Sequence, residues 1–339
     1  MKHIQFPGLG IDLKIKPEIF SIGNLSIRWY GLIIAIGFAL AVWYCLKRSP
    51  KFGIKQDHLI DMLLIATPAA IIGARLYYVV LAWDQYASNP IRALYIWEGG
   101  IAIYGAIIFA ALAAWIFARV KKINAMNLFD IGALGLLIGQ AVGRWGNFVN
   151  GEVFGIATDL PWGMRINYSQ AVHPLFFYEF LWNMLGFVLF HFMSKRRRFY
   201  GQIFWSYVAW YGIGRGLLEG IRAEQDILYF FDSGLKASQV VGFLSALVAL
   251  GILAYRFIFS SGSEPILLLT PEEAAAYVSV STPKNDSSEE IVAEEAAETV
   301  EIAEAVEPDV ADALEDPDEP QEPASKEKSE EADETEKDN

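Results

Sequence analysis

Residues 27–46 read IRWYGLIIAIGFALAVWYCL, and Arg28 is the only charge in the run. About 20 mostly apolar residues in helical conformation span the hydrocarbon layer of a bilayer. This stretch is apolar all round, without the polar stripe of a helix that lies between water and a soluble core. Six further segments follow the pattern: 59–81, 100–118, 128–144, 175–193, 202–220 and 238–259. The fourth is short and the sixth carries charge, so these two are the weakest. A soluble protein with buried helices would need polar faces that most of these runs lack. The fold class expected is an all-α integral membrane protein with about seven transmembrane helices.

Charge divides the chain. The formal net charge is −13, although 54% of the residues are hydrophobic. From Gly262 onward there are 26 Asp and Glu against 4 Lys, a charge of −22, while the preceding residues hold 23 bases and 14 acids, a charge of +9. A cationic apolar body therefore precedes an acidic tail rich in Glu, Ala, Asp, Ser and Pro. Such a tail buries too little apolar area to offset its ordering entropy. The expected organisation is an N-terminal segment, 1–26; a seven-helix transmembrane body, 27–260; and a disordered acidic tail, 261–339. An interaction arm is the tail's alternative reading, but truncation after Phe259 is expected to be tolerated. Cys45 is the only cysteine, so no internal disulfide framework exists. The first twenty residues lack the continuous apolar core of a cleavable signal peptide.

Basic residues set the orientation. Lys47, Arg48, Lys51 and Lys55 follow the first span, Arg119, Lys121 and Lys122 the third, and Lys195, Arg196, Arg197 and Arg198 the fifth. These loops are expected to be cytoplasmic, with the N-terminus outside and the C-terminal tail in the cytoplasm.

On that topology several unusual polar residues reach one depth. Charge at the centre of a span costs about 2.5–3.5 kcal/mol on insertion scales. Arg75 lies near the outer end of the second span, Arg144 at that of the fourth, and Arg215 in the outer half of the sixth. Tyr30, Tyr104 and His173 fall on the same side. Each has a plainer reading. Arg75 can snorkel to headgroups, and Tyr30 with Trp29 can form an aromatic belt. In YGIGRGLLEGIR, residues 211–222, Arg215, Glu219 and Arg222 stand at i, i+4 and i+7 on one helical face. A purely structural ion pair between Arg215 and Glu219 is possible there.

In the fourth span Gly132, Gly135, Gly139 and Gly143 make a face without bulk, open to a neighbouring backbone. It ends in GRWGNFVNGEVFG, residues 143–155, a glycine-rich loop presenting Arg144, Asn147, Asn150 and Glu152. The guanidinium fork matches phosphate oxygens, so the loop suits a phospholipid headgroup; a structural polar turn is the alternative.

That last run resembles the signature of the prolipoprotein diacylglyceryl transferase family, approximately G-R-x-G-N-F-x-N-x-E-x-x-G. Arg144, Gly146, Asn147, Phe148, Asn150, Glu152 and Gly155 all fit. RWYG at 28–31, Gly73 with Arg75, WEGGIAIYG at 97–105, HPLFFYE at 173–179 and YGIGRGLLEGIR are similar to further family motifs, in order. The likeness runs from about residue 15 to 260 and excludes the tail. It implies an enzyme that moves a diacylglyceryl group from phosphatidylglycerol to the lipobox cysteine of a preprolipoprotein. A thioether forms and glycerol phosphate leaves, at the outer face of the bacterial cytoplasmic membrane. The partners implied are phosphatidylglycerol, the signal peptide with its lipobox cysteine, and the lipid bilayer, with no nucleic acid, no metal and no organic cofactor.

The chain departs from the family at Tyr104, where a histidine with a catalytic role is common. A phenol of ordinary pKa about 10 is a poor base at neutral pH, though it can donate to phosphate. His173 is the alternative base. Arg144, Arg215 and Tyr104 are the catalytic candidates. Arg144 also stands among the substrate-binding candidates, with Asn147, Asn150, Glu152, Gly155, Tyr30, Arg75, Tyr211, Glu219, Arg222 and His173. Glu152 and Glu219 are expected to position arginines. A transporter or channel for an anionic solute is the rival reading, since outer-side arginines and a glycine-rich span suit it too. A scaffold acting through the tail is a third.

Overall fold

The computed structural model describes residues 1–22, 25–223, 236–259, 266–270 and 272–273. Seven long helices occupy the expected segments: α1 (Trp29–Arg48), α2 (Gln56–Leu81), α3 (Ile103–Val120), α4 (Ala125–Asn150), α5 (Leu175–Met193), α6 (Gln202–Gly220) and α7 (Ala237–Phe259). By length and composition six of them can cross a membrane, and α6 is the exception. Its helix forms nonetheless, packed against α4, α5 and α7, which shields its polar residues from lipid. The fourth span is secure, because α4 runs for 26 residues.

Helix α4 is central. Its Ile131, Leu134 and Leu137 are fully buried, in one core with Leu59 of α2, Ala118 of α3, Phe190 of α5 and Ile203 of α6. The glycine face of α4 receives α1: a Cβ at Gly135 would strike Cys45, and one at Gly143 would press on Ile34. Elsewhere the helices turn large apolar side chains outward, among them Ile36, Phe38, Leu64, Ile72 and Leu247. Exposed apolar surface on that scale suits hydrocarbon rather than water.

Two findings differ from the expected all-helical picture. The N-terminal segment is built of strands. β1 (Lys2–Phe6) pairs antiparallel with β2 (Ile11–Ile15) across a turn at Pro7–Leu9, and β3 (Glu18–Ile22) pairs with β4 (Leu25–Arg28). β5 (Arg165–Ile166) adds to the other edge of β1. Ile4 is fully buried there, in a second small core with Phe148, Met164, Ile166 and Phe176. The alternation of IDLKI and the PGLG turn are the local cause.

The second difference lies just past α7. The tail was expected to lack structure from 261, yet β7 (Ile266–Leu267) pairs with β6 (Arg196–Arg197). The Leu269 N–H donates to the Lys51 carbonyl at 3.0 Å, and Leu268 packs on the main core. The expectation of disorder for 274–339 lies outside the described residues.

At that same end, Arg197 is buried rather than solvated. Its Nη1 donates to Asp130 Oδ2 at 2.8 Å and to Asn127 Oδ1 at 2.6 Å. Asp130 also accepts from the backbone N–H groups of Gly201 and Phe204, at 3.0 and 2.9 Å. A buried carboxylate so satisfied joins α4 to the start of α6.

Candidate active site

Up-and-down helices bring distant residues to one end of the bundle: the C-terminal ends of α4 and α6 and the N-terminal end of α5. The run 143–155 is mostly helix rather than loop. α4 continues through Asn150 and stops at Gly151, whose φ of 62° is the left-handed cap that favours glycine. Gly146 keeps its helical conformation and serves as a contact instead, since a Cβ there would lie 3.0 Å from the Tyr30 ring. Helical geometry puts Arg144 and Asn147 on one face, and Arg144 Nη1 donates to Asn147 Oδ1 at 3.4 Å. Asn147 and Asn150 both donate to Glu152 Oε1, at 2.9 and 3.3 Å. Val153 follows with φ of 56°, costly for a β-branched residue and the kind of strain that clusters at functional sites.

The segment beyond is stitched to two others. Gly155 N–H donates to the His173 carbonyl at 2.9 Å, His173 N–H to Ile156 at 3.0 Å, and Ile156 N–H to Ile221 at 2.8 Å. The signature, the turn before α5 and the end of α6 thus form one unit. A Cβ at Gly155 would collide with His173. The His173 ring points to Tyr178, with Nδ1 3.3 Å from its hydroxyl.

At the centre stands Glu179 of α5. Arg144 Nε lies 2.6 Å from its Oε2 and Arg215 Nη1 lies 3.9 Å from its Oε1. Glu219 holds Arg215 at 2.9 Å and Arg222 at 3.4 Å, as the i, i+4, i+7 spacing predicts. Lys236 closes the end of α6, donating to the carbonyls of Glu219 and Arg222 at 3.0 and 2.8 Å. The carboxylate side chains are only 7% and 4% exposed, while those of Arg144, Arg215 and Arg222 are 23%, 20% and 26% exposed. The acids sit behind and the cations face the open side. Three guanidiniums thus stand in front of two buried carboxylates.

Beside this cluster lies a wholly apolar cavity of about 600 Å³, lined by Trp145, Phe148 and Phe176 together with Phe6 and Leu9 of the N-terminal hairpin. Among the described residues no group of three or more His, Cys, Asp or Glu is arranged to hold a metal ion.

Two expected residues do not join the cluster. Arg75 is 5% exposed and its guanidinium is spent on backbone. It donates to the carbonyls of Ala93 at 2.8 Å, Arg92 at 2.7 Å and Gly100 at 2.9 Å, and to that of Gly99. It is also 5.2 Å from the centre of the Tyr86 ring. Arg75 thus organises the α2–α3 loop. Tyr104, in the first turn of α3, is 44% exposed, and among the described residues no hydrogen bond or ring contact ties it to the arginines. Tyr211 faces Tyr207, ring centres 6.0 Å apart, one turn before Arg215 on α6. Glu179, by contrast, was missed as a site residue, though an acid in the otherwise apolar FFYEFLW was a signal in itself.

A family profile described as Prolipoprotein diacylglyceryl transferase matches residues 17–255. Three similar proteins carry the name phosphatidylglycerol--prolipoprotein diacylglyceryl transferase. That of Lysinibacillus sphaericus is 41% identical over 257 residues, covering 72% of this chain and 93% of its own. That of Streptococcus agalactiae is 39% identical over 252 residues, covering 71% and 96%. That of Bacillus velezensis is 39% identical over 254 residues, covering 71% and 92%.

Proposed function

The chain belongs to the prolipoprotein diacylglyceryl transferase family, and on that premise we propose that it transfers the diacylglyceryl group of phosphatidylglycerol to the lipobox cysteine of a prolipoprotein. The substrate's sulfur attacks the glycerol carbon that carries the phosphate. A C–S bond forms, the C–O bond breaks, and its electron pair leaves on the phosphate oxygen of glycerol phosphate; the thiol proton passes to water. The nucleophile is the substrate's, because Cys45 is buried near the other end of α1.

The observation that carries this reading is a face of guanidiniums backed by buried carboxylates. A cationic face of this kind suits the negative charge of a phosphodiester. Arg144 and Arg215 bind the phosphate and stabilise the charge that develops on it as the C–O bond breaks. Nearby positive charge also favours the thiolate of an incoming cysteine. Arg222, Asn147, Asn150, Glu152 and Tyr30 complete the polar wall around the headgroup, with Tyr211, Glu219, Gly155 and His173 shaping it. The apolar cavity beside Trp145 gives room to the lipid's apolar part. The basic loops are cytoplasmic in this reading, so the site opens at the outer face of the bacterial cytoplasmic membrane.

The test is consumption of labelled phosphatidylglycerol with a lipobox peptide in detergent. Arg144→Ala and Arg215→Ala should each lower turnover by about a hundredfold or more, in the range of a lost charge-stabilising donor. Near-normal turnover in both overturns the assignment. An anion transporter would consume no lipid where no compartment remains.

A further inference from the structure

At the end of the bundle opposite the arginine cluster lies a second cavity, of about 460 Å³. Its walls are the turn between α1 and α2, the first turn of α2, the α3–α4 turn and Tyr200, two residues ahead of α6. Lys55, His58, Lys121, Lys122, Asn124 and Asn127 line it, and no carboxylate does. This polarity is the reverse of the apolar cavity's.

The charges around it are incompletely matched. Lys121 is 3.3 Å from Asp61, a pair with both side chains more than 40% exposed, so the attraction is weak. No described acid pairs with Lys122, and the buried Nδ1 of His58 has no hydrogen-bond partner. Asn124 spends its side-chain oxygen on the Asn127 N–H at 3.2 Å, which leaves its amide N–H groups to donate. The start of the 26-residue α4 adds the positive end of its dipole. Behind Asn127, Arg197 is already neutralised by Asp130.

We propose that this cavity is a binding site for a phosphate group, with Lys121 and Lys122 as its cation contacts and His58 and Asn124 as its polar neighbours. The space exceeds an inorganic phosphate and admits a phosphate ester of a small alcohol. Its position at the ends of membrane-length helices is where the headgroup of an anionic lipid stands. A soluble phosphate ester offers the same chemistry. The inference is independent of the transfer reaction, because it concerns neither the arginine cluster nor its substrate.

The test uses the purified full chain in maltoside detergent, with the thermal unfolding midpoint as readout. The probes are dihexanoyl phosphatidate, inorganic phosphate and dihexanoyl phosphatidylcholine. Phosphatidate should raise the midpoint and phosphatidylcholine should not. In Lys121→Gln/Lys122→Gln the half-maximal phosphatidate concentration should rise by about tenfold or more, equivalent to ~1.4 kcal/mol. The arginine cluster also suits a lipid phosphate, so the same lysine substitutions should produce the same rise in an Arg144→Ala background, which separates this cavity from the other anion site. A weaker response to inorganic phosphate assigns the lipid headgroup; an equal one assigns a soluble phosphate. Both lysines are exposed, so folding should survive. If the double variant does not fold, Lys122→Gln alone, which keeps the Lys121–Asp61 pair, should show an intermediate rise. An unchanged concentration dependence in the variants, or an equal shift with phosphatidylcholine, overturns the proposal.

Discussion

Glu179→Gln should damage the reaction without weakening lipid binding. The substitution keeps the side chain's shape and removes its charge. Arg144, 2.6 Å away, and Arg215, 3.9 Å away, then lose the carboxylate that fixes them. The site gains one unit of positive charge, so a phosphodiester should be held at least as well as before. What is lost is placement. Like charge now pushes the two guanidiniums apart, and a displacement of about 1 Å at a reacting centre costs on the order of a hundredfold in rate. That factor corresponds to ~2.7 kcal/mol of transition-state stabilisation. Initial rates of transfer, measured against the mole fraction of phosphatidylglycerol in mixed micelles, separate the two effects. The expected result is kcat lower by about a hundredfold with KM unchanged or reduced, the pattern of an interaction needed only in the transition state. Glu179→Asp, shorter by one methylene, should recover part of the rate. A raised KM at normal kcat would show that Glu179 binds the substrate itself. A kcat/KM within threefold of the parent would refute the positioning role.

Two further outcomes concern the other end of the bundle. Truncation after Glu273 should leave thermal stability unchanged, whereas truncation after Phe259 removes Leu268 from the core; partial loss of a buried leucine, about 1–3 kcal/mol, should lower the midpoint by several degrees, and equal midpoints would show that the β6–β7 pairing contributes nothing. Asp130→Asn breaks the buried pair with Arg197 and should destabilise the protein by about 3–5 kcal/mol, read as unfolding at a lower sodium dodecyl sulfate fraction, with KM for lipid unaltered in whatever protein remains folded; a variant as stable as the parent contradicts that.

The helices were legible because hydrocarbon thickness sets their length, and composition reports that directly. Their ends were not. The span at 128–144 became α4, Ala125–Asn150, since hydropathy detects where lipid ends but a helix continues as long as its backbone bonds are made. Gly143 meets Ile34 as the bulk-free face of the span predicts, but Gly146, in the expected loop, is helical and its use is close approach by Tyr30. Sequence alone does not distinguish a glycine chosen for its φ from one chosen for its missing side chain. Charges carry the same ambiguity. Arg197 was counted with its neighbours as a loop cation, but its partner Asp130 lies 67 residues away and the pair is buried. Arg75 looked like a ligand-binding arginine because depth was readable and hydrogen-bond partners were not. The i, i+4, i+7 row of Arg215, Glu219 and Arg222 was readable in full, because a helix fixes those neighbours locally.

Glu179 shows why the remaining part of the site needed the fold. An isolated carboxylate in a membrane helix is expensive, so its presence signals partners but does not name them. The partners come from α4 and α6, one on each side in sequence. With both in place the acid is shielded and the cations keep one face open. Reversing the arrangement, with acids in front, would repel the lipid phosphate. Removing the acids would leave three guanidiniums crowding one another, free to move and free to pair with any passing anion. The buried carboxylates therefore act by restraint: they hold the arginines in register and leave their open face cationic, as the proposed binding of a lipid phosphate requires.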